Sequence, residues 1–444
     1  MKIPEEPPPF DELMRELSDR PDRMTLLTRA GRSLAAQSTY LHWDDLRYRE
    51  PPTGLTRRQW WAQLKLQRIA SAHSTGVPDK HGEAFWFVKT PAMDRMLHRI
   101  DQALAGGIEV PGRSDVASAG DRYLVSSMME EAINSSQLEG ASTTRRVAKE
   151  MLRGGRAPRN PDEQMIWNNY QAIEFVRQHL DDELDLTAVL EIHRLVTEGT
   201  LEEPDLAGHL RLTDDIQVIY RPEGRVLHQP PPAAELQQRL RALFSFAAAD
   251  PDEGPWVHPV VRAIVAHFLL AYDHPFVDGN GRVARIMFYA TMLKRGYWLA
   301  AYLSVSRIIK KGPEKYARAF LLTEHDDGDL TYFILYHLDV IVRAIDELHA
   351  FIQRSSERGG RARMLARSLP DVNARQVTLL DHAARHPDAS YEIAVHQGYH
   401  RISYPTARQD LLQLADRGFL EKKKLGRKLL FFVPSDLDSR LRSG

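Results

Sequence analysis

The sequence predicts a mostly α-helical protein with one short β-hairpin in its middle and a smaller domain of helices and strands at its C-terminal end. Apolar residues recur at helical spacing through most of residues 113–353. The exception is Asp215–His228, where residues alternate on either side of a turn. After residue 371, helical patterns are followed by a β-prone run. Because 444 residues exceed the roughly 250–300 that one hydrophobic core serves, we expect more than one domain.

The composition excludes several classes of function. The chain has no cysteine, which removes disulfides, thiolate zinc sites and thiol nucleophiles, and which fits a reducing cytoplasm. It begins with MKIPEEPPPFDELM, an acidic, proline-rich stretch without the apolar core of a signal peptide. No apolar run approaches the ~20 residues that span a bilayer. We therefore expect a soluble, cytoplasmic protein without a membrane segment.

The first 112 residues predict a small, mostly helical N-terminal region. The apolar residues of Met93–Leu104 follow helical spacing, whereas the remaining stretches are short, aromatic-rich and separated by loop signals. No residue of this region forms a recognisable chemical motif.

A second domain is predicted over residues 113–353, and its first helix over 122–140, with Gly140 as the stop. Asn160-Pro161 marks another helix start, because proline suits the first helical turn. Further helices are predicted at about 186–198, 233–249, 258–273, 281–295, 314–323 and 329–353. The alternating stretch 215–228 predicts a β-hairpin between two of them.

The residues with the clearest chemistry follow the predicted helix 258–273. A loop with glycines at 279 and 281 leads into the next helix, and such a helix N-terminus binds anions through its free N–H groups. Arg282 and Arg285 lie three residues apart, so they share a face and could clamp phosphate oxygens. Asp278 is a hard oxygen ligand suited to the Mg²⁺ that accompanies a nucleoside triphosphate. His274 is the natural general base near neutral pH.

Each of these features alone is more often structural, since Gly-Asn-Gly is commonly a turn and a single histidine commonly ends a helix. Together they form His-Pro-Phe-x-Asp-Gly-Asn-Gly-Arg-x-x-Arg over 274–285. Nine fixed positions arise by chance on the order of 10⁻⁸ or less in a chain of this length. This run resembles the complete signature of the Fic (Fic/DOC) family, and the resemblance spans roughly 115–350. One position departs from the common pattern, Ala284, where many relatives have glycine.

The resemblance implies an all-helical core with a β-hairpin flap that holds a target segment by strand addition. It implies AMP transfer from ATP to a Ser, Thr or Tyr hydroxyl of a target protein, the chain itself included, and it leaves self-association open. By the same resemblance, His274 would be the catalytic base and Asp278 the Mg²⁺ ligand. The nucleotide and phosphate ligands would be Phe276, Gly279, Asn280, Gly281, Arg282 and Arg285. The hairpin around 215–228 would be the flap.

The run Ser135–Gly140 matches the family's inhibitory pattern Ser/Thr-x-x-x-Glu-Gly/Asn. The pattern is loose and would occur by chance in roughly one such chain in three, where it would simply end a helix at a C-capping glycine. It occurs once here, at the end of a predicted helix N-terminal to the core. The resemblance implies that Glu139, with Ser135 and Gly140 of the same motif, inhibits the enzyme by pairing with Arg285.

The C-terminal part predicts a linker over 354–370 and a winged helix-turn-helix domain over 371–444. From Arg354 onward the chain has 17 Lys and Arg against 10 Asp and Glu, so this part is basic. Helices are predicted at about 374–386, 391–397 and 404–417, then a wing turning at Gly426. Lys422–Lys424 and Arg427-Lys428 of the wing could contact DNA phosphates, and Tyr404, Arg408 and Gln409 are candidates to face a groove. The same module could instead serve protein contacts or dimer packing.

The sequence therefore leads to an auto-inhibited protein adenylyltransferase. Two alternatives use the same chain differently: an enzyme that removes AMP or transfers another nucleotidyl or phosphoryl group, and a nucleotide-responsive DNA-binding regulator. The intact His274 and Asp278 argue against the regulator, since a sensor needs no base.

Overall fold

The computed structural model describes residues 2–18, 39–105, 116–220, 223–249, 255–387, 389–425 and 428–443. The chain divides into two compact units, Met1–Ile345 and Asp346–Gly444. The domain boundary predicted at residue 112 lies outside the described residues. In the described ranges, no helix is both long and apolar enough to cross a lipid bilayer.

The N-terminal part of the first unit is helical, as predicted, but it also contains a β-hairpin that the sequence analysis missed. Its elements are α1 (Phe10–Ser18), α2 (Trp43–Leu46), α3 (Arg57–Ala70), β1 (Ala72–Pro78), β2 (Ala84–Val88) and α4 (Pro91–Leu104). The two strands are antiparallel. The aromatic run Phe85–Phe87 has high β propensity, and two of its rings are fully buried, so packing favours a strand here.

The rest of the first unit is the predicted helical core. Its helices are α5 (Val116–Leu138), α6 (Arg145–Gly154), α7 (Pro161–Gln178), α8 (Leu186–Thr197), α9 (Leu236–Ala248), α10 (Pro259–Asp273), α11 (Asn280–Lys294), α12 (Val305–Lys310), α13 (Pro313–His325) and α14 (Thr331–Ser368). Almost every side chain of α10 is buried, which explains why its sequence is apolar on all faces. Helices α10 and α11 therefore form the centre of the core, and the loop between them is held on both sides.

The predicted hairpin lies between α8 and α9. Strands β3 (Val218–Tyr220) and β4 (Arg225–His228) are antiparallel, with Ile219 opposite Val226. Part of the predicted turn, residues 221–222, lies outside the described residues. The mostly helical fold with a central hairpin is thus confirmed.

Residues 354–368, predicted as a linker, are helical and form the second half of α14. The prediction rested on Gly359-Gly360, but Gly359 is buried against Arg385, and a methyl group there would collide with the arginine side chain. Ala362 and Ala366 are also fully buried in the core of the second unit. These small residues allow close helix packing, and this outweighs the roughly 1 kcal/mol helix cost of each glycine.

The second unit adds three short strands and further helices to this segment of α14. Its elements are α15 (Ala374–Arg385), β5 (Ser390–Glu392), α16 (Ile393–His400), α17 (Tyr404–Asp416), β6 (Glu421–Leu425), β7 (Lys428–Phe432) and α18 (Leu437–Ser443). The strands pair in the order β5-β7-β6, all antiparallel. Strand β5 was not predicted, and the predicted turn at Gly426 lies outside the described residues. A core of aliphatic residues with Phe419 and Phe431 joins the helices to the sheet.

Candidate active site

The predicted site residues meet where α10 ends and α11 begins. His274 follows the last residue of α10 and adopts a left-handed conformation, with φ 46° and ψ 55°. Non-glycine residues seldom occupy this region, and they are held there by surrounding contacts. Here the amide of His274 donates to the Leu270 carbonyl at 3.1 Å, and the Arg211 guanidinium donates to the His274 carbonyl at 3.0 Å.

The imidazole of His274 is half-buried and held in one tautomer. Its Nδ1 lies 3.2 Å from the carbonyl oxygen of Ala271, which can only accept, so Nδ1 carries the proton and Nε2 is the basic nitrogen. Burial lowers the pKa of His274 to about 4, and the nearby His228 and Arg211 also act to lower it. At neutral pH His274 is therefore uncharged and able to accept a proton.

The N-terminus of α11 has the form of an anion site. Gly279 precedes the helix with φ 85°, and no side chain in the described ranges caps the first turn. The N–H groups of residues 280–282 thus point away from the helix without intrahelical partners, at the positive end of its dipole. Gly281 lies directly beneath the Glu139 carboxylate, and a methyl group on Gly281 would collide with that carboxylate. In this structure the anion next to the helix start is Glu139.

Phe276 and Asn280 support the loop from within. The ring of Phe276 is fully buried and stacks on His193, with centroids 3.8 Å apart. The Asn280 side chain accepts from the Phe276 amide at 2.9 Å and donates to the Phe276 carbonyl at 2.8 Å. Both side chains therefore face the protein interior and not a ligand. Nucleotide binding by these two residues stays a prediction, and the group of Asn280 available for it is the backbone N–H at the start of α11.

Arg282 is also placed differently from the prediction. Its side chain is fully buried, where it donates to the Val196 carbonyl at 2.6 Å and to the Asp278 carboxylate at 2.9 Å. In the described part of the chain its Nε has no hydrogen-bond partner. Arg282 thus fixes Asp278 and the end of α8, and its contact with outer phosphates stays a prediction.

Asp278 projects from the loop with 58% of its side chain exposed. In the described ranges no cluster of three or more His, Asp or Glu residues could hold a metal ion. A Mg²⁺ ion at Asp278 would therefore draw its other ligands from water and from the phosphate oxygens of a nucleotide. Magnesium binds in this way in nucleotide sites, where it keeps waters and uses one or two carboxylates, so the donor set fits.

Arg285 is 2% exposed and connects α11 to the end of α5. Its Nε donates to Ser135 Oγ at 2.8 Å, and a terminal nitrogen donates to the Ser135 carbonyl at 3.1 Å and to Glu139 Oε1 at 2.7 Å. Burial by itself would lower the pKa of Arg285, but the negative Glu139 outweighs this and raises it. The structure therefore brings Ser135, Glu139 and Arg285 together as the sequence predicted.

Gly140 determines where Glu139 lies. Helix α5 ends at Leu138, and Gly140 follows with φ 107°, a conformation that other residues rarely adopt. The amide of Ala141 donates back to the Ser136 carbonyl at 3.1 Å, which completes a Schellman-type helix end. Because the helix ends sharply here, the chain turns away from α5 after Gly140, and Glu139 remains beside α11.

Part of the chain is similar to known proteins. Residues 183–292 match the model of the Fic/DOC family. The chain contains a Fic/DOC domain. Two proteins named protein adenylyltransferase Fic are similar to it. The one from Nematostella vectensis is 24% identical over 260 residues, which cover 56% of this chain and 55% of that protein. The one from Drosophila melanogaster is 27% identical over 203 residues, covering 43% of this chain and 37% of that protein.

The fold of the Fic domain also has a counterpart among solved structures. A Fic family protein from Desulfovibrio desulfuricans G20 superposes with a TM-score of 0.51 at 19% identity, over 79% of this chain and 98% of that one. This likeness concerns the fold alone. The chain spans about half the length, or less, of the curated relatives just described.

Two residues that hold the Fic loop were not found by sequence reasoning. His193, on α8, lies 3.0 Å from the Asp278 carbonyl through Nε2, and its Nδ1 accepts from the Gly208 amide at 2.9 Å. Burial lowers its pKa to about 4, so it is neutral. Arg211 is 3% exposed and holds the His274 carbonyl, while its amide donates to Pro275 at 2.9 Å. Both lie more than 60 residues before the motif, where no local pattern marks them.

Proposed function

We propose that this chain is a protein adenylyltransferase that transfers AMP from ATP to a Ser, Thr or Tyr hydroxyl of a target protein, and that Glu139 inhibits it. The observation that carries the proposal is a neutral His274, with Nδ1 tied to a carbonyl, beside an uncapped and glycine-lined helix N-terminus. A base and an anion site next to each other suit transfer of a phosphorus group to a hydroxyl.

The transfer is a single displacement at the α-phosphorus of ATP. The hydroxyl oxygen of the target forms the new P–O bond, and the bond from the α-phosphorus to the bridging oxygen of pyrophosphate breaks. The hydroxyl proton goes to Nε2 of His274, which becomes an imidazolium. The N–H groups at the start of α11 would stabilise the negative oxygens at phosphorus, and Arg285 would bind the terminal phosphate.

A bound Mg²⁺ ion would supply positive charge to the phosphates and so favour departure of pyrophosphate. Asp278 would hold this ion, because its carboxylate is exposed at the loop. Arg282 fixes the direction of that carboxylate from below. The flap β3–β4 has exposed Ile219 and Val226 on one cross-strand pair and would receive the target segment by strand addition.

Inhibition follows from the position of the Glu139 carboxylate. It pairs with Arg285 and lies against Gly281, so it occupies space and charge that a terminal phosphate would need. A phosphate and a carboxylate cannot share the same cation and helix end without strong repulsion. ATP would therefore bind productively only when Glu139 has moved away.

Intact-mass measurement after incubation with MgATP tests reaction and inhibition together. We expect the wild type to gain little, Glu139→Gly and Glu139→Gln to gain one or more AMP groups, and Glu139→Gly/His274→Ala to gain none. The matched control is Glu191→Gln, which breaks a partly exposed pair with Arg194 on the surface of α8 and should behave as wild type. Equal incorporation in the wild type and both Glu139 variants would refute the inhibitory role, and incorporation without His274 would refute the assigned base.

Two other reactions at the same site predict different outcomes. If a phosphoryl group were transferred, label from γ-labelled ATP would appear on protein; for AMP transfer, only α-label appears. If Glu139 instead positioned water for removal of AMP, the wild type would release AMP from a modified target faster than Glu139→Gly does. Either result would replace the proposed reaction while leaving the site assignment intact.

We also propose that residues 371–444 form a winged helix-turn-helix that contacts DNA. The order of elements α15-β5-α16-α17-β6-β7 and the sheet order support this fold. Tyr404, Arg408 and Gln409 are exposed on α17, and Lys422–Lys424 are exposed on β6. Asp410, on the same helix, is buried and held by Arg375 at 2.7 Å, so its charge does not oppose phosphates. Asp416 and Glu421 are exposed and pair with Lys422 and Lys423, and a DNA phosphate would have to replace them.

Fluorescence anisotropy with duplex DNA at several salt concentrations tests this second proposal. Changing all three lysines of Lys422–Lys424 to Gln should weaken binding and reduce the slope of log K against log salt by up to about 2.7, since each phosphate contact contributes roughly 0.9. The control is Arg442→Gln, an exposed arginine paired with Asp438 in the same unit. Absence of wild-type binding at low salt would favour a role in protein contacts instead.

A further inference from the structure

The N-terminal hairpin β1–β2 is fixed rigidly on the Fic core. Phe85 is 1% exposed and meets Phe268 and Tyr272 of α10 edge-on, with ring centroids 5.3 and 5.0 Å apart. The carbonyl of Trp86 accepts from the Leu330 amide at 2.8 Å, and the Trp86 indole donates to the Asp327 carbonyl at 2.8 Å. Strand β2 is thus bonded to the start of α14 and packed on α10, so its tip has a fixed position.

The turn of this hairpin is held by one side chain. Asp79 Oδ1 accepts from the amides of His81 and Glu83 at 2.7 and 3.0 Å, and the Asp79 amide donates to the Glu83 carbonyl at 2.7 Å. These bonds leave the carbonyls of Pro78 and Asp79 directed at α9. Both accept from Arg239, at 2.9 and 3.0 Å.

Arg239 connects the hairpin to the residue before His274. The guanidinium is 4% exposed and donates through Nε to Asp273 Oδ1 at 2.7 Å. Asp273 is 1% exposed and is the last residue of α10. The hairpin carbonyls therefore orient Arg239, and Arg239 orients the end of the helix on which the catalytic base depends.

Two further contacts reach the same turn and the flap. The Lys80 amide donates to the Tyr272 hydroxyl at 3.2 Å, and the Lys80 ammonium donates to the Gln229 carbonyl at 3.3 Å, directly after β4. His228, the last residue of β4, lies 2.7 Å from the Tyr272 carbonyl and 2.6 Å from the Glu324 carboxylate. The turn at 272–274 is thus held from the hairpin and from the flap.

We propose that the tip of the N-terminal hairpin, residues 78–80, with Arg239 is a positioning device that holds His274 in its left-handed conformation and ties the base of the flap to the same turn. Tyr272, Asp273 and His274 are restrained by the groups just described, which is what a strained catalytic residue requires. The proposal rests on the proposed function, since it assigns these residues to the same reaction. The N-terminal part of the chain is then part of the site, although none of its residues touches the substrate.

The hairpin tip and Arg239 affect the position of His274 and leave the affinity for the nucleotide unchanged. Within the described part of the chain, the hairpin tip contacts none of Gly281, Arg285 or Asp278, so nucleotide binding should not depend on it. Misplacement of a base by about 1 Å costs roughly 10²-fold in rate. A positioning role therefore predicts slower transfer with unchanged affinity for MgATP.

The test compares variants made in the Glu139→Gly background, in which inhibition is removed. Removing Arg239 alone would leave a buried carboxylate without its cation and endanger folding, so the first variant is the double Arg239→Met/Asp273→Leu, which replaces both partners by apolar groups. The second is Asp79→Ala, which loosens the turn and buries no charge. The control is His81→Ala, at the same tip, whose side chain is exposed. Arg239→Lys keeps the positive charge but cannot make all three contacts of the arginine, so it tests how far a cation alone preserves the rate of transfer.

In single-turnover AMP incorporation we expect the double variant to be roughly 10²-fold slower, Asp79→Ala roughly 10-fold slower and Arg239→Lys intermediate, with MgATP affinity unchanged. His81→Ala should match the background. A folded double variant, or a folded Asp79→Ala, that transfers AMP at the background rate would overturn the proposal, and so would a loss of rate explained by weaker MgATP binding.

A measurement without nucleotide separates this proposal from the proposed function. In ¹⁵N-histidine NMR spectra, His274 should show the Nδ1-protonated tautomer in the background protein and a mixture of tautomers in the double variant and in Asp79→Ala. If the background protein incorporates no AMP, the proposed function fails, while the spectra still decide whether the hairpin positions His274. Identical His274 signals in all these proteins would overturn the positioning role even if AMP transfer is confirmed.

Discussion

Neutralising Glu139 should lower the stability of the nucleotide-free protein and increase its stabilisation by MgATP. Arg285 is 2% exposed, and its guanidinium donates to Ser135 and to Glu139. Glu139→Gln removes the only carboxylate that, in the described residues, is hydrogen-bonded to this guanidinium. Breaking a fully buried pair in this way costs about 3–5 kcal/mol, and breaking an exposed one about 0–1 kcal/mol.

The Glu139–Arg285 pair lies between these limits, because 31% of the glutamate side chain and 3% of the arginine side chain are exposed. We therefore expect a loss of about 2 kcal/mol in the free energy of unfolding. For a unit of this size, that corresponds to a melting temperature lower by about 3 °C.

With MgATP present, Glu139→Gln should become more stable than the wild type. A ligand at 100 times its Kd stabilises the native state by about 2.7 kcal/mol, and the variant should reach this level at lower ATP concentration than the wild type, where Glu139 competes. Thermal unfolding with and without MgATP measures both effects, with Glu191→Gln as the control for loss of an exposed glutamate pair. The reasoning is refuted if Glu139→Gln melts at the wild-type temperature and shifts no further than the wild type when MgATP is added.

The remaining predictions concern the base, the end of α5 and the second unit. In the Glu139→Gly variant, AMP incorporation should persist as the pH falls through the ordinary histidine value of about 6.5 and decline only near the lowered pKa of His274, about 4, which a pH–rate profile checks. Gly140→Ala forces a side chain into φ 107°, so it should destabilise the end of α5 by about 1–2 kcal/mol and raise incorporation above the wild-type level in the mass assay. Gly360→Ala has open space and should stabilise the second unit by up to about 1 kcal/mol, whereas Gly359→Ala meets Arg385 and should not, as denaturant unfolding of the two variants will show.

The titration of His274 also affects stability. Its pKa is about 4 in the folded chain and about 6.5 when unfolded, so the unfolded state binds more protons between these values. The contribution of His274 to stability is therefore fully present at neutral pH and decreases as the pH falls through this window. This change has the same direction as the expected loss of activity.

The sequence predicted the parts of the site that depend on local spacing. A base, a carboxylate and a glycine-lined helix start lie within residues 274–285, and the helix end at Gly140 has its own local signature. The fold class could be predicted for the same reason, because helical periodicity and a single alternating stretch are properties of short windows.

Features that depend on distant neighbours could not be predicted. The burial of Arg282 depends on the Val196 carbonyl, and the stacking of Phe276 depends on His193, both about 80 or more residues away along the chain. Likewise, the local pattern Gly359-Gly360 predicts a break in the helix. The packing of Gly359 against Arg385 explains why the helix continues. In each case tertiary contacts outweighed a local preference.

The contact between Glu139 and the start of α11 also bears on how inhibition would respond to conditions in a cell. Under the proposed inhibition, Glu139 is a ligand tethered to its own binding site, so its effective concentration is set by the chain and is unaffected by dilution. Any partner that unwinds the last turn of α5 would lower the effective concentration of the carboxylate, and the output of the enzyme would then follow the state of that one helical turn.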